Sequence, residues 1–237
     1  MTILTFISCS DIHNFTQPMP MYYNIHTHQP AEHNDHTLSI QSLYEDFGSM
    51  RPGLFYSIGL HPAYLDDHVN KFGQIEKLAE QPGVLAIGEC GLDKLVTAPM
   101  ELQQEIFIKH IALANRVGKP LIIHCVQAHQ LIAEIFAKHK PIVPVVFHGY
   151  NNRPAIAAMF AGYHFSFGAA ILNDKLPAAD ILRTTHSDQF FLETDESDVS
   201  IQEIYMKAAA IRNILVEDLI RSQQYHFNSL FNLNNND

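Results

Sequence analysis

Short apolar segments alternate with amphipathic stretches along this chain, and the alternation limits the possible folds more than any single residue does. Seven segments read as strands: residues 21–25, 54–58, 84–88, 120–123, 142–147, 163–167 and 189–192. Between them, apolar residues recur at helical spacing. Phe72, Ile75, Leu78 and Ala79 form one such set, and Leu131, Ile132, Ile135 and Phe136 another. The longest set runs Leu102, Ile106, Phe107, Ile111, Ala114 and Val117, and stops at Gly118. Ser200 and Glu203 have capping-box spacing ahead of a helix through residue 210, and residues 216–233 read as a closing helix. Strand, helix, strand repeated in this way implies a mostly parallel sheet, either open and doubly wound or closed into a barrel. No glycine-rich phosphate loop follows the first segment, which disfavours the nucleotide-binding open sheet. A length of 237 residues suits one α/β barrel. These readings leave a single α/β unit over residues 21–233, an open doubly wound sheet or a closed (β/α) TIM barrel, with a loosely attached extension at 1–20 and a polar tail at 234–237.

The strand ends carry chemistry. The first segment runs into His26 and His28, which share a strand face because side chains alternate. The second leads to His61, the third to Glu89 and Asp93, the fourth to His124, the fifth to His148 and the seventh to Asp195. In a parallel barrel these ends form one mouth, where active sites are found. His26, His28, Glu89, His124, His148 and Asp195 form a donor set suited to zinc, manganese or nickel. A carboxylate shared by two such ions helps to activate a water at neutral pH.

Each residue also has a plain structural reading. The chain holds 15 histidines, so a lone His-x-His pair is weak evidence. His124 and His148 could be satisfied histidines at strand ends, and Asp195 could cap the next helix. Glu89 follows a buried-type strand, where an unpaired carboxylate is costly, so a cation or an Arg partner is expected beside it. The coincidence of six strand-end donors resists the plain reading. Cys90 and Cys125 alternate to the opposite face and read as small buried hydrophobes.

Composition excludes some classes. A net charge of −10 leaves no extensive surface for non-specific nucleic-acid binding, but it permits a small phosphorylated substrate or a DNA end held by metal ions. Three cysteines without a CxxC pair form no disulfide framework, so a reduced, cytoplasmic setting is expected. No apolar run is long enough to span a bilayer. The apolar run at residues 3–7 is short and lacks a preceding Lys or Arg, so it does not read as a signal peptide, and Met19 and Met21 are alternative starts.

His26-Thr27-His28, Gly59-Leu60-His61-Pro62, Gly88-Glu89-Cys90-Gly91-Leu92-Asp93, His124, His148-Gly149, Ser166-Phe167-Gly168 and Glu193-Thr194-Asp195, in this order, resemble the TatD family of metal-dependent hydrolases. The resemblance spans roughly residues 23–195. It implies a distorted barrel with two divalent ions (zinc, manganese, magnesium or nickel) and nuclease-type activity. By position, His26, His28, Glu89 and Asp195 would hold one ion, and Glu89, His124 and His148 the other. Several positions depart from the family pattern. Asn24 stands where an Asp is usual, and Val126-Gln127 where an Arg-Asp pair is usual. Lys94-Leu95-Val96 and Gly149-Tyr150-Asn151-Asn152-Arg153 replace the usual loops, and the segment after Asp195 is short. The ligands are thus retained while several phosphate-facing cations are missing.

Three functions compete. The first is phosphoester or phosphodiester hydrolysis, with Asp195 accepting a proton from the attacking water, Glu89 sharing the ions, and His61, Asp93, Lys94 and Arg153 contacting substrate. The second is amide, lactone or ester hydrolysis by the same logic. Its usual sign, a strand-ending lysine available for carbamylation, is absent, and Glu89 occupies the bridging place. The third is a non-catalytic binding protein on a degenerate barrel, which loss of ligands would support; none of the six is lost.

Overall fold

A computed structural model of the chain describes residues 21–30 and 36–233. Its strands are β1 (Tyr22–Thr27), β2 (Thr37–Leu43), β3 (Phe55–Ile58), β4 (Val84–Asp93), β5 (Leu121–Val126), β6 (Val145–Phe147), β7 (His164–Phe167) and β8 (Phe190–Leu192). They form one parallel sheet in sequence order, each strand pairing with the next. The two edges meet through a bridge between Thr27 and Asp195. There the Asp195 N–H donates to the His26 carbonyl (3.0 Å), and the His28 N–H donates to the Asp195 carbonyl (3.1 Å). The sheet thus closes into the expected barrel.

Helices α1 (His68–Leu78), α2 (Met100–Val117), α3 (His129–Lys138), α4 (Pro154–Met159) and α5 (Ala178–Thr184) connect successive strands from β3 to β8. α6 (Ile201–Arg212) and α7 (Val216–Leu230) follow β8. The Ser200 side chain accepts from the Glu203 N–H, as the capping-box spacing predicts.

The structure corrects the sequence reading in three places. There are eight strands, not seven: β2 was missed because Leu38 and Ile40 alternate with Thr, Ser and Gln, a weak period-2 signal without a continuous apolar run. β4 and β5 continue past their expected ends, so Glu89 lies within β4 rather than beyond it. β6 begins only after Pro144, which has no N–H to give a ladder. The proposed extension at 1–20 and the tail at 234–237 lie outside the described residues.

Two apolar layers hold the barrel. Outward residues of the strands, such as Ile58, Ile87, Leu121, Ile123, Phe147, Phe167 and Leu192, pack beneath helix residues including Ile106, Phe107, Ile132 and Ile204. Inward residues Tyr23, Ile25, Ile40, Leu85, Ile122, Val146 and Phe191 form a second cluster with Phe227, Leu230 and Phe231. Several of these inward residues stand at strand starts, so α7 plugs the amino-terminal end of the barrel. The polar chemistry collects at the other end.

Candidate metal centre

Strand alternation carries polar side chains into the mouth. Inward Ile122, Val146 and Phe191 are each followed two residues later by His124, His148 and Glu193. Glu89 sits among them because β4 and β5 approach closely. Gly91 has φ +148°, and a Cβ there would lie 2.0 Å from the His124 carbonyl oxygen. Gly88 has φ +142°, and its Cβ would lie 2.3 Å from the Ile122 carbonyl oxygen. Only glycine fits at either place.

The Glu89 carboxylate, 2% exposed, faces two donor sets, one per oxygen. Its Oε2 lies 3.3 Å from His26 Nε2 and 3.2 Å from His28 Nε2. Both nitrogens also face Asp195 Oδ1, at 3.6 and 3.5 Å. Its Oε1 lies 2.8 Å from His124 Nδ1, 2.8 Å from His148 Nε2 and 3.3 Å from His61 Nε2.

The spacings around Oε2 fit a metal ion, whereas the 2.8 Å contacts of Oε1 are hydrogen-bond distances. Ligand bonds of about 2.0–2.1 Å around a tetrahedral ion place neighbouring donor atoms about 3.4 Å apart. Glu89 Oε2 and both His26 ring nitrogens are buried without a hydrogen-bond partner. A buried carboxylate and imidazole left so are costly unless a cation joins them. Burial works against charge on Glu89, yet His148, His124 and His26 hold its carboxyl well below the ordinary range. Burial and His148 likewise oppose a charge on His26, but the Asp195 and Glu89 carboxylates facing its ring raise its pKa to about 9. Protons thus do in the bare site what cations would do in a loaded one.

Neighbouring residues orient the donors. Asp93 Oδ2 lies 3.1 Å from His124 Nε2, and its Oδ1 accepts the Leu95 N–H. Both oxygens of Asp93 are therefore engaged, although the sequence reading placed this residue against substrate. Glu193, fully buried, accepts the Gly149 N–H at 2.6 Å and the Ser166 hydroxyl, and stands 3.5 Å from His148 Nδ1. The sequence reading quoted Glu193 without a role. Its cue was its inward parity two residues after Phe191.

His61 is different in kind. Its Nδ1 accepts the Ala63 N–H at 3.1 Å, and burial pushes its pKa down to about 4, so the neutral ring carries its hydrogen on Nε2. That nitrogen is a donor, as a substrate contact requires, and has no lone pair for an ion. Lys94 and Arg153 are exposed, after β4 and ahead of α4, and among the described residues neither side chain makes a hydrogen bond or ion pair.

Two further features escaped the sequence reading. Tyr44, just after β2, and Tyr64, in the loop after β3, stack with ring centroids 4.4 Å apart and planes 11° apart. Tyr44 lies 6.2 Å from the His28 ring, and Tyr64 lies 5.5 Å from His61. Beside His148, a cavity of about 270 Å³ is lined by neutral groups that include Gln127, His129, Tyr150, Asn151 and Asn152. Neither sequence spacing nor periodicity marks either feature.

The TatD-related DNase family matches residues 24–231 of this chain. The chain belongs to the TatD family. The metal-dependent hydrolase YcfH of Escherichia coli K12 is 25% identical over 206 residues, covering 79% of this chain and 77% of YcfH. The 3'-5' ssDNA/RNA exonuclease TatD of Edwardsiella piscicida is 28% identical over 185 residues, covering 74% and 68%. The crystal structure of YjjV, a TatD homologue from E. coli K12, superposes with a TM-score of 0.79 at 20% identity, covering 89% of this chain and 98% of YjjV. That last likeness concerns the fold.

One departure from the TatD pattern has a clear structural consequence. Asn24 lies on the outer face of β1, where its Nδ2 donates to Thr194 Oγ1 (2.8 Å) and its Oδ1 accepts the Thr194 N–H (3.0 Å). It clamps β1 to the segment carrying Asp195. An aspartate could accept from both groups, so the two-point clamp survives the change to Asn. The Val126-Gln127 departure instead leaves the cavity beside His148 with a neutral wall.

Proposed function

We propose that this protein is a divalent-metal-dependent phosphodiesterase that acts on the end of a nucleic-acid strand. The observation that carries this reading is Glu89, which offers one carboxylate oxygen to each of two donor sets. His26, His28, Glu89 and Asp195 would hold one ion of zinc, manganese, magnesium or nickel, and Glu89, His124 and His148 would hold the other. Bound there, two such ions polarise a phosphoryl oxygen and lower the pKa of water toward neutrality.

The chain's own residues do the rest. Asp93 fixes the His124 ring by taking its Nε2–H, and the Glu193 carboxylate faces His148 Nδ1 at 3.5 Å. Asp195 is the most open of the acids, 39% exposed at its side chain. Its oxygen not turned to the histidines accepts a proton from the attacking water. His61 donates from Nε2 to a phosphate oxygen. Lys94 and Arg153, unpaired at the rim, draw the anionic strand in. The names of the relatives support this chemistry: TatD of E. piscicida is a 3'-5' ssDNA/RNA exonuclease. The acidic chain and the sparse rim cations suit capture of a strand end rather than of a long duplex.

The test is a metal analysis joined to two substrates. Purified protein should bind two divalent ions per chain and turn over bis-p-nitrophenyl phosphate, with little action on p-nitrophenyl acetate. Glu89→Gln should lose metal and at least about 10²-fold in rate. Preference for the acetate would move the assignment to carboxylic esters, and absence of both metal and turnover would sink it.

A further inference from the structure

Tyr44 and Tyr64 are built unlike the other aromatic pairs. Ring pairs in the core are tilted or edge-on, whereas these two lie parallel, the one stacked pair among the described residues. A pair serving only to pack would hide its rings, but Tyr64 leaves 42% of its surface exposed. The pair also stands at the mouth, its rings beside His28 on one side and His61 on the other. Glu45 and Glu196 both act on the Tyr44 hydroxyl, so the surroundings of the pair are acidic and what it offers a ligand is its ring faces. Lys71 answers part of that charge, 3.8 Å from Glu45.

Parallel rings with an open face accept a third ring, because offset stacking is favourable and every nucleobase has a π-face. We infer that Tyr44 and Tyr64 form a shelf on which a base stacks while its own phosphate lies at the Glu89 donor sets. This rests on the phosphodiesterase reading and names what that reading leaves open: the substrate is recognised by a base next to the bond cut. The positions agree, since the shelf adjoins the rings of His28 and His61, both of which face the Glu89 carboxylate. Stacking is indifferent to base identity, so the shelf selects unpaired bases over paired ones, whose faces are already covered, and does not select sequence.

Binding tests the shelf without requiring turnover. Titration calorimetry on the manganese-loaded protein would compare deoxyadenosine 5'-monophosphate with deoxyribose 5-phosphate, which differ only in the base. The wild-type protein should bind the nucleotide about tenfold or more tightly than the sugar phosphate. Tyr64→Ala should bring the two affinities within about twofold of each other. Tyr64→Phe, which keeps the ring and drops the hydroxyl, should retain the preference. Equal affinities in the wild-type protein, no binding of either compound, or a preference that survives Tyr64→Ala each overturns the shelf. Failure of the phosphodiesterase reading shows separately, as absence of turnover of bis-p-nitrophenyl phosphate.

Discussion

His110 shows how one buried side chain ties stability to pH at a distance from the metal centre. It is fully buried on α2, and the Leu60 N–H donates to its Nε2 at 3.0 Å. Its hydrogen is therefore on Nδ1, which donates to the Ile106 carbonyl at 2.7 Å. Burial, against that backbone bond, pushes its pKa from 6.5 down to about 4. The unfolded chain binds this proton more readily than the folded one, so the contribution to stability is fully present above pH 6.5 and is lost as pH falls toward 4. The full loss is about 3 kcal/mol. Urea unfolding of the wild type and of His110→Gln at pH 7 and pH 5 should show a larger drop in the wild type; equal drops would remove His110 as the source. The sequence alone does not single out His110, because helix spacing marks an apolar face without showing which loop that face meets. His124 and His148 were legible because strand parity puts them at the mouth whatever their partners, whereas His26 and His28 reach it through the register shift between Asn24 and Thr27.

At the scale of elements, the site depends on how closely strands approach. β4 presses Gly88 and Gly91 against carbonyls of β5, and this contact carries Glu89 into the centre. Gly91→Ala should destabilise the fold by about 3 kcal/mol, since a Cβ would meet the His124 backbone and φ there is positive. Thermal unfolding measures this, and an unchanged melting temperature would show that the two strands can move apart freely. Metal content should fall with stability, because the strand that shifts carries His124. The Gly-Glu-Cys-Gly spacing was visible in the sequence, but its reason was not: a requirement for glycine comes from a neighbouring strand, and the neighbour is known only once the sheet order is known. β2 was missed for a related reason. Its Ser39 and Gln41 break the apolar run, and pairing with β1 and β3 makes it a strand despite modest propensity.

In the whole molecule, stability and chemistry occupy opposite ends. α7 sends Phe227 and Leu230 into the base of the barrel, with the Phe227 ring 4.8 Å from that of Tyr23. Phe227→Ala should cost about 3–5 kcal/mol in denaturant unfolding. Its metal content at a temperature where it stays folded should match the wild type, and metal loss in the folded variant would show that the two ends are coupled. The sequence by itself determined the fold class and the donor types, because period-2 and period-3.6 patterns and strand-end residues are local properties. Tertiary structure alone decided which donors come together. Thr27 and Asp195 stand 168 positions apart, and only closure of the barrel brings Asp195 to His26 and His28. Likewise, only the strand order lets Glu89 face five histidines and lets Tyr44 lie flat against Tyr64. Those contacts join residues distant along the chain, and no local pattern records them.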